Sequence, residues 1–122
     1  MNASSFEQYL GSLGLGVARI TGADGVEYTV VEQFEIPAGG LAGRVADIAI
    51  HRNTSVPYAP PAAIHTRPAL LPMTTAEPFG TQASGIGPEW QYWSRRFDHP
   101  PTEKSLWAHL RTVLCDPRWP NN

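Results

Sequence analysis

Twelve prolines and eleven glycines are spread through 122 residues. Proline fixes φ and lacks the N–H that helices and ladders need, while glycine supplies turn conformations that other residues resist. Together they cut the chain into short elements with rigid connectors, which argues against a helical bundle. The densest stretch, VPYAPPAAIHTRP, places Pro57, Pro60 and Pro61 in a stiff extended lead-in. None of these prolines can donate to a ladder, so the strand they lead into is short, roughly residues 62–66. A chain of this length suits one domain, residues 1–122, and buries roughly two-thirds of the surface its unfolded form exposes.

The remaining pattern gives an order of elements. SSFEQYLGSLG reads as a first helix. Ser4 and Glu7 have capping-box spacing, Phe6, Leu10 and Leu13 share a face, and Gly14 and Gly16 end it. In VARITGADGVEYTVVEQFEIP, Asp24-Gly25 is a hairpin signal between two β-rich runs. After it, Val26, Tyr28, Val30, Phe34 and Ile36 fall on alternate positions, interrupted by Glu32, as one face of a half-buried strand. RVADIAIH is a third strand with Ala46, Ile48 and Ile50 on one side. Residues 72–88 have no clear periodicity and read as one long loop. Thr102 caps the last helix, Glu103 sits in its first turn, and Leu106, Leu110, Val113 and Leu114 form its apolar stripe. At 100° per residue, Cys115 lies about 140° from the centre of that stripe, near the polar face. The expected fold is α+β: an N-terminal helix, a four-stranded antiparallel meander, a long loop and a C-terminal helix.

Composition removes several classes of function. Hydrophobic residues are 42% and charged residues 16%, which is not the balance of a disordered chain. The net charge is −2 and no run of Lys or Arg exists, so a nucleic-acid partner is not expected. The single cysteine cannot form an internal disulfide, so a reducing cytoplasm is the expected compartment. MNASSFEQYLGSLGLG lacks a charged leader and a long apolar core, and no segment suits a bilayer span, so no membrane partner is expected. His51, His65, His99 and His109 lack metal-ligand spacing, and no metal or cofactor is expected. His51 and His65 are placed to face each other on neighbouring strands, where satisfied histidines are the simpler reading. The glycines of GLGVARITG and GTQASGIG have no phosphate-binding spacing before a helix.

IAIHRNTSVPYAPPAAIHTR resembles the third strand, proline-rich turn and fourth strand of ubiquitin-conjugating enzymes, the E2 or UBC fold. That family carries a strand ending in His and then a Tyr-Pro-x-x-Pro-Pro turn. Here the turn is Val56-Pro57-Tyr58-Ala59-Pro60-Pro61, with the leading Tyr changed. FDHPPTEKSLWAHLRTVLCDP is similar to the segment after the family's active site. Phe97 stands for a Trp, Thr102 caps the helix, and Leu114-Cys115-Asp116-Pro117 closes it. By element order the likeness covers roughly residues 5–122. WQYWSRR resembles a Trp-x-x-Trp-Ser-Arg-His-type stretch of bacterial E2-like proteins linked to ubiquitin-like modification operons, and departs from it at Arg96.

The resemblance implies a modifier held as a thioester on a cysteine, a strong nucleophile and good leaving group near neutral pH. It also implies an Asn, in a His-Pro-Asn motif, that supports the developing oxyanion. Counted back from Leu114-Cys115-Asp116-Pro117 without a gap, the cysteine position falls at Glu89, and residues 1–114 hold no cysteine. The motif becomes Leu71-Pro72-Met73, and the Met73 side chain has no N–H to offer. Cys115 matches a non-catalytic helix residue of relatives. Asp116 and the helix C-terminus both disfavour its thiolate, so it reads as an inert thiol. Asp98-His99 is a candidate acid–base pair near the expected active-site loop, and more simply a turn before the helix. Ser94, Arg95 and Arg96 are candidates to bind a carboxylate such as a modifier's C-terminal tail, and more simply a solvated charged face. Trp90, Tyr92 and Trp93 are candidate partner anchors, and more simply pack the loop onto the core.

The resulting expectation is an E2-like pseudoenzyme of a bacterial ubiquitin-like conjugation system. It would lack the catalytic cysteine and bind or scaffold a ubiquitin-like modifier, an activating-enzyme-like protein, or both. Two alternatives stay open. One is an active conjugation enzyme using a nucleophile near residues 89–99 or Cys115. The other is a pure protein-interaction module.

Overall fold

The computed structural model describes residues 1–99 and 101–121. Helix α1 (Ala3–Ser12) leads into strands β1 (Gly16–Thr21), β2 (Glu27–Glu35), β3 (Val45–His51) and β4 (Ala63–Arg67). Strands β5 (Thr81–Ala83) and β6 (Gln91–Ser94) follow, and helix α2 (Glu103–Leu114) comes last. The sheet order is β1-β2-β3-β4-β6-β5, with every neighbouring pair antiparallel. The first four strands are the expected meander. The expected count of four is corrected to six, because β5 lies inside the stretch read as loop and β6 is the QYWS of the tryptophan motif. Strands of three and four residues are too short to carry an alternation signal, and their place is set by long-range pairing, with Ile64 opposite Trp93 and Trp93 opposite Thr81.

Both helices pack on one face of the sheet. Phe6 and Leu10 from α1 and Leu106, Leu110 and Leu114 from α2 are buried with Ala46, Ile48, Ile50 and Trp93. Thr102 caps α2 as expected, and Ser105 completes its capping box. Trp107 joins the buried stripe in place of Val113, which is only half-buried. The start of α1 differs from expectation. Asn2 is its N-cap, with Ser5 closing the box, and Leu13 is exposed beyond the last turn.

The opposite face carries a second, smaller cluster. Tyr28, Val30 and Ala49 are covered by Ile86 and Trp90 from the β5–β6 connection. That connection is tied to the β1–β2 turn, where Ala23 N–H donates to Ile86 O (2.9 Å) and Asp24 N–H to Gly85 O (3.0 Å). A Cβ at Gly85 would run into the Asp24 carboxylate, so glycine is what permits this approach.

The predicted single face through Val30 and Phe34 is corrected by a β-bulge. Pairing passes from Val31–Ile48 to Phe34–Ala46, and Gln33 takes φ 51°. The extra residue reverses the facing of the strand. Val30 therefore points to the second cluster and Phe34 to the helices. Asp47 holds the bulge: its Oδ1 accepts from Gln33 N–H (2.9 Å) and its Oδ2 from Arg67 Nη2 (2.8 Å). Burial pushes the Asp47 carboxyl up, but the bonds from Gln33 and Arg67 outweigh it and hold it below the ordinary value.

Glu7, expected as a capping residue, is buried instead. Its carboxylate accepts from Arg52 Nε (2.9 Å), Thr29 Oγ1 (2.6 Å) and Arg19 Nε (3.0 Å), tying α1 to β1, β2 and the end of β3. Burial raises its pKa, and the bonds from Arg52, Thr29 and Arg19 together bring it below the ordinary 4.5. The stability tied to ionised Glu7 is complete above the unfolded value and is lost as pH falls through the lower folded one. Glu7→Gln leaves Arg52 buried without its counter-charge and should cost about 3 kcal/mol in urea denaturation at neutral pH. In the wild type the urea midpoint should drop as pH falls below about 4.5, and E7Q should lose less over that interval.

Candidate functional site

At the β4–β6–β5 end of the sheet, one side chain ties the segment after β4 to the paired strands. Gln91, fully buried at the start of β6, accepts through Oε1 from Leu70 N–H (3.1 Å), Leu71 N–H (3.1 Å) and Trp93 Nε1 (3.0 Å). Its Nε2 donates to Leu71 O (2.7 Å). An amide with one acceptor and two donors thus replaces ladder bonds that the chain after β4 cannot make. Nearby, Thr81 Oγ1 donates to Pro72 O and accepts from Thr74 N–H (2.9 Å), which folds residues 72–81 back onto β5.

Glu89 lies in the turn just before β6. Its side chain is 73% exposed and its nearest charge is Arg67 Nη1, at 3.6 Å. Arg67 in turn lies over the Trp90 ring, 4.7 Å from its centroid. The tryptophan motif divides between the two faces. Trp90 is buried in the second cluster, Trp93 in the main core, and Tyr92 is half-buried beside His65.

Past β6 the chain presents charge. Arg95 spreads against Trp93 and Trp119, 5.6 and 5.3 Å from their centroids, and its Nη1 donates to Ser94 O (2.6 Å). It borders a polar cavity of about 470 Å³ together with Glu77, Gln82, Ser94 and Arg118. Arg118 is paired with Asp116 at 2.7 Å. Arg96 is exposed.

Asp98 and His99 are both exposed, and among the described residues no hydrogen bond joins them. His99 rests against Phe97, with centroids 6.1 Å apart. Glu89 and Asp98 lie beyond opposite ends of β6, whose four extended residues span roughly 13 Å. The structure therefore does not gather Glu89, Asp98 and His99 into one centre. Cys115 is the C-cap of α2 and half-buried against the main core. Its carbonyl packs on Gly39, where any Cβ would overlap it, so the last turn of α2 is seated on the β2–β3 connection.

Tyr58 in the proline turn is half-buried against the main core, Pro61 is buried, and Asn53 Nδ2 ties the turn through Ala59 O (3.2 Å). His51 and His65 share a face, with Tyr28 against both, at 6.4 and 5.1 Å between centroids. His65 Nδ1 meets Ser84 Oγ at 2.8 Å, and burial pushes its pKa down to about 4. Sequence reasoning missed Gln91, Ser84 and the cavity beside Arg95. The pairings that place them on the sheet lie 20, 19 and 17 residues away in the chain, where no local pattern points to them. Among the described residues no group of three or more His, Cys, Asp or Glu could hold a metal ion, and no helix is long and apolar enough to cross a membrane.

Compared with known proteins, residues 3–115 match the family model for prokaryotic E2 family E. No curated protein and no solved structure matches the chain.

The contrast between Gln91 and Glu89 is measurable. Gln91→Leu strands three buried donors, each costing about 1–3 kcal/mol, so it should lower stability by at least about 3 kcal/mol in urea. Glu89→Ala removes a long, exposed ion pair and should change stability by less than about 0.5 kcal/mol.

Proposed function

Because the chain belongs to prokaryotic E2 family E, we propose that it serves a bacterial ubiquitin-like conjugation system as a binding partner rather than a thioester carrier. The observation that carries this reading is the residue at the expected nucleophile position. Glu89 is an exposed carboxylate paired with Arg67, and Cys115, which bears the protein's one thiol, is the C-cap residue of α2, its backbone packed on the β2–β3 connection. A carboxylate cannot replace a thiolate as acyl carrier in a thioester relay. Met73, at the oxyanion-supporting position, offers no N–H donor from its side chain.

What the chain keeps is a surface suited to an extended anionic tail. The cavity beside Arg95 is large enough for a few residues of main chain, and two arginines border it. A C-terminal carboxylate entering there meets the Arg95 guanidinium, whose planar donors match it, while Arg118 is already paired with Asp116 and Glu77 stands on the same border. On this reading a ubiquitin-like modifier, presented by an activating-enzyme-like protein, docks its tail along β5 without covalent transfer.

The test is to incubate the protein with the activating enzyme, ATP and modifier of its system, and follow intact mass with and without thiol. The expected result is binding with no thiol-labile adduct, and binding at least about tenfold weaker in Arg95→Ala. A thioester on Cys115, abolished by Cys115→Ala, would overturn the proposal. A thiol-resistant adduct lost in Glu89→Ala or His99→Ala would replace it with an active enzyme of another nucleophile. Tight binding to an unrelated protein, with none to any ubiquitin-like protein, would replace it with a pure interaction module.

A further inference from the structure

On the sheet face opposite the helices, a cavity of about 330 Å³ opens between β2, β4, β6 and the β5–β6 connection. Its chemistry is unlike that of the cavity beside Arg95. Four rings border it: Tyr28, His51, His65 and Tyr92. His65 is the floor, with Tyr28 at 5.1 Å and 72° to it and Tyr92 at 5.3 Å and 78°. Ser84 fixes the floor ring through Nδ1.

One carboxylate stands at the rim. Asp24 accepts the Tyr28 phenol at Oδ2 (2.6 Å) and Val26 N–H at Oδ1 (3.0 Å). Those bonds, the phenol's first, keep its carboxyl below the ordinary value, so it is ionised at neutral pH. Burial leaves His65 uncharged there. The rest of the wall is aliphatic or glycine, and among the described residues no lysine or arginine lines it.

The rings pack near-perpendicularly on one another and make an apolar wall, and a carboxylate beside an apolar wall makes a site for a cation carried on an aliphatic stem. Both Asp24 oxygens already accept one bond, which obstructs the in-plane fork of a guanidinium and leaves room for a point charge. We propose that this cavity binds a lysine-type side chain, a primary ammonium on an aliphatic stem, with Asp24 as counter-ion and Tyr28, His65 and Tyr92 as the ring walls. The stem lies along the aliphatic wall and the ammonium reaches the Asp24 rim. The site needs only the cavity and holds whether or not the chain meets a conjugation partner.

The experiment is an amide NMR titration of the whole protein with Nα-acetyl-lysine methylamide, run beside its Nε-acetylated form and the arginine analogue. The lysine compound should give saturable shifts at Tyr28, His65 and Tyr92, with a dissociation constant on the order of 10 mM. The acetylated form, which has the stem without the charge, should give none. Asp24→Asn should weaken the lysine compound by about tenfold with the spectrum of a folded protein retained. Equal binding of the acetylated form, tighter binding of the arginine analogue, or no saturable shift with the lysine compound would each overturn the proposal. These three comparisons use the wild-type protein alone and stand even if the variant fails to fold.

Discussion

The side-chain amide of Gln91 takes the part of a neighbouring strand's backbone. After β4 the chain turns away through Pro68 and Pro72, so Leu70 and Leu71 have no ladder to join. Gln91 takes both of their N–H groups and the Leu71 carbonyl, and also receives the Trp93 indole. All of this is buried, where an unmade hydrogen bond is costly and a satisfied one fixes geometry. Backbone pairing lays β6 on β4 and β5 on β6, and Gln91 locks the chain after β4 to that pair. Three features on which the proposed roles rest hang on that pair of strands: the Glu89 turn, the Tyr92 wall and the Arg95 cavity.

A second tie works at the other edge. Glu7 gathers Arg19, Thr29 and Arg52 around one carboxylate and fixes α1 across the first three strands. Neither tie was legible in the sequence. Glu7 stands three residues after Ser4, so its local spacing suggested a cap, while its true partners are 12, 22 and 45 residues away. The bulge at Gln33 was hidden for the same reason. It is stabilised by Asp47, fourteen residues on, and a simple alternation ran straight through it. Local chemistry was easier to read. Asp24-Gly25 turns the first hairpin, Ala46, Ile48 and Ile50 line the core, and Thr102 caps α2, because each depends on neighbours in the chain.

The candidate site divides along the same line. That no thiol stands at position 89 could be read directly, because it is a matter of residue type. Which face each aromatic takes could not. Trp90, just before β6, and Trp93, within it, lie on opposite faces of the sheet, and Tyr92 alternates with Trp93 by the two-residue period of the strand. The same period puts Tyr92 beside His65 and completes a ring-lined cavity from residues scattered over 64 positions, from Tyr28 to Tyr92. Arg95, read as part of a charged stretch, is half-buried against Trp93 and Trp119, which holds its guanidinium at the edge of a cavity rather than in free solvent.

In the proposed role this chain is an E2 frame that binds a modifier without carrying it. The sharpest prediction of that role is a gain of chemistry at one position. Glu89→Cys would put a thiol on an exposed turn with Arg67 beside it, and a nearby cation favours the thiolate. The measurement is intact mass of wild type and Glu89→Cys after incubation with activating enzyme, ATP and modifier. The account predicts a thiol-labile adduct on the variant and none on the wild type. An adduct on the wild type, or a variant that binds the same partners and stays uncharged, would contradict it.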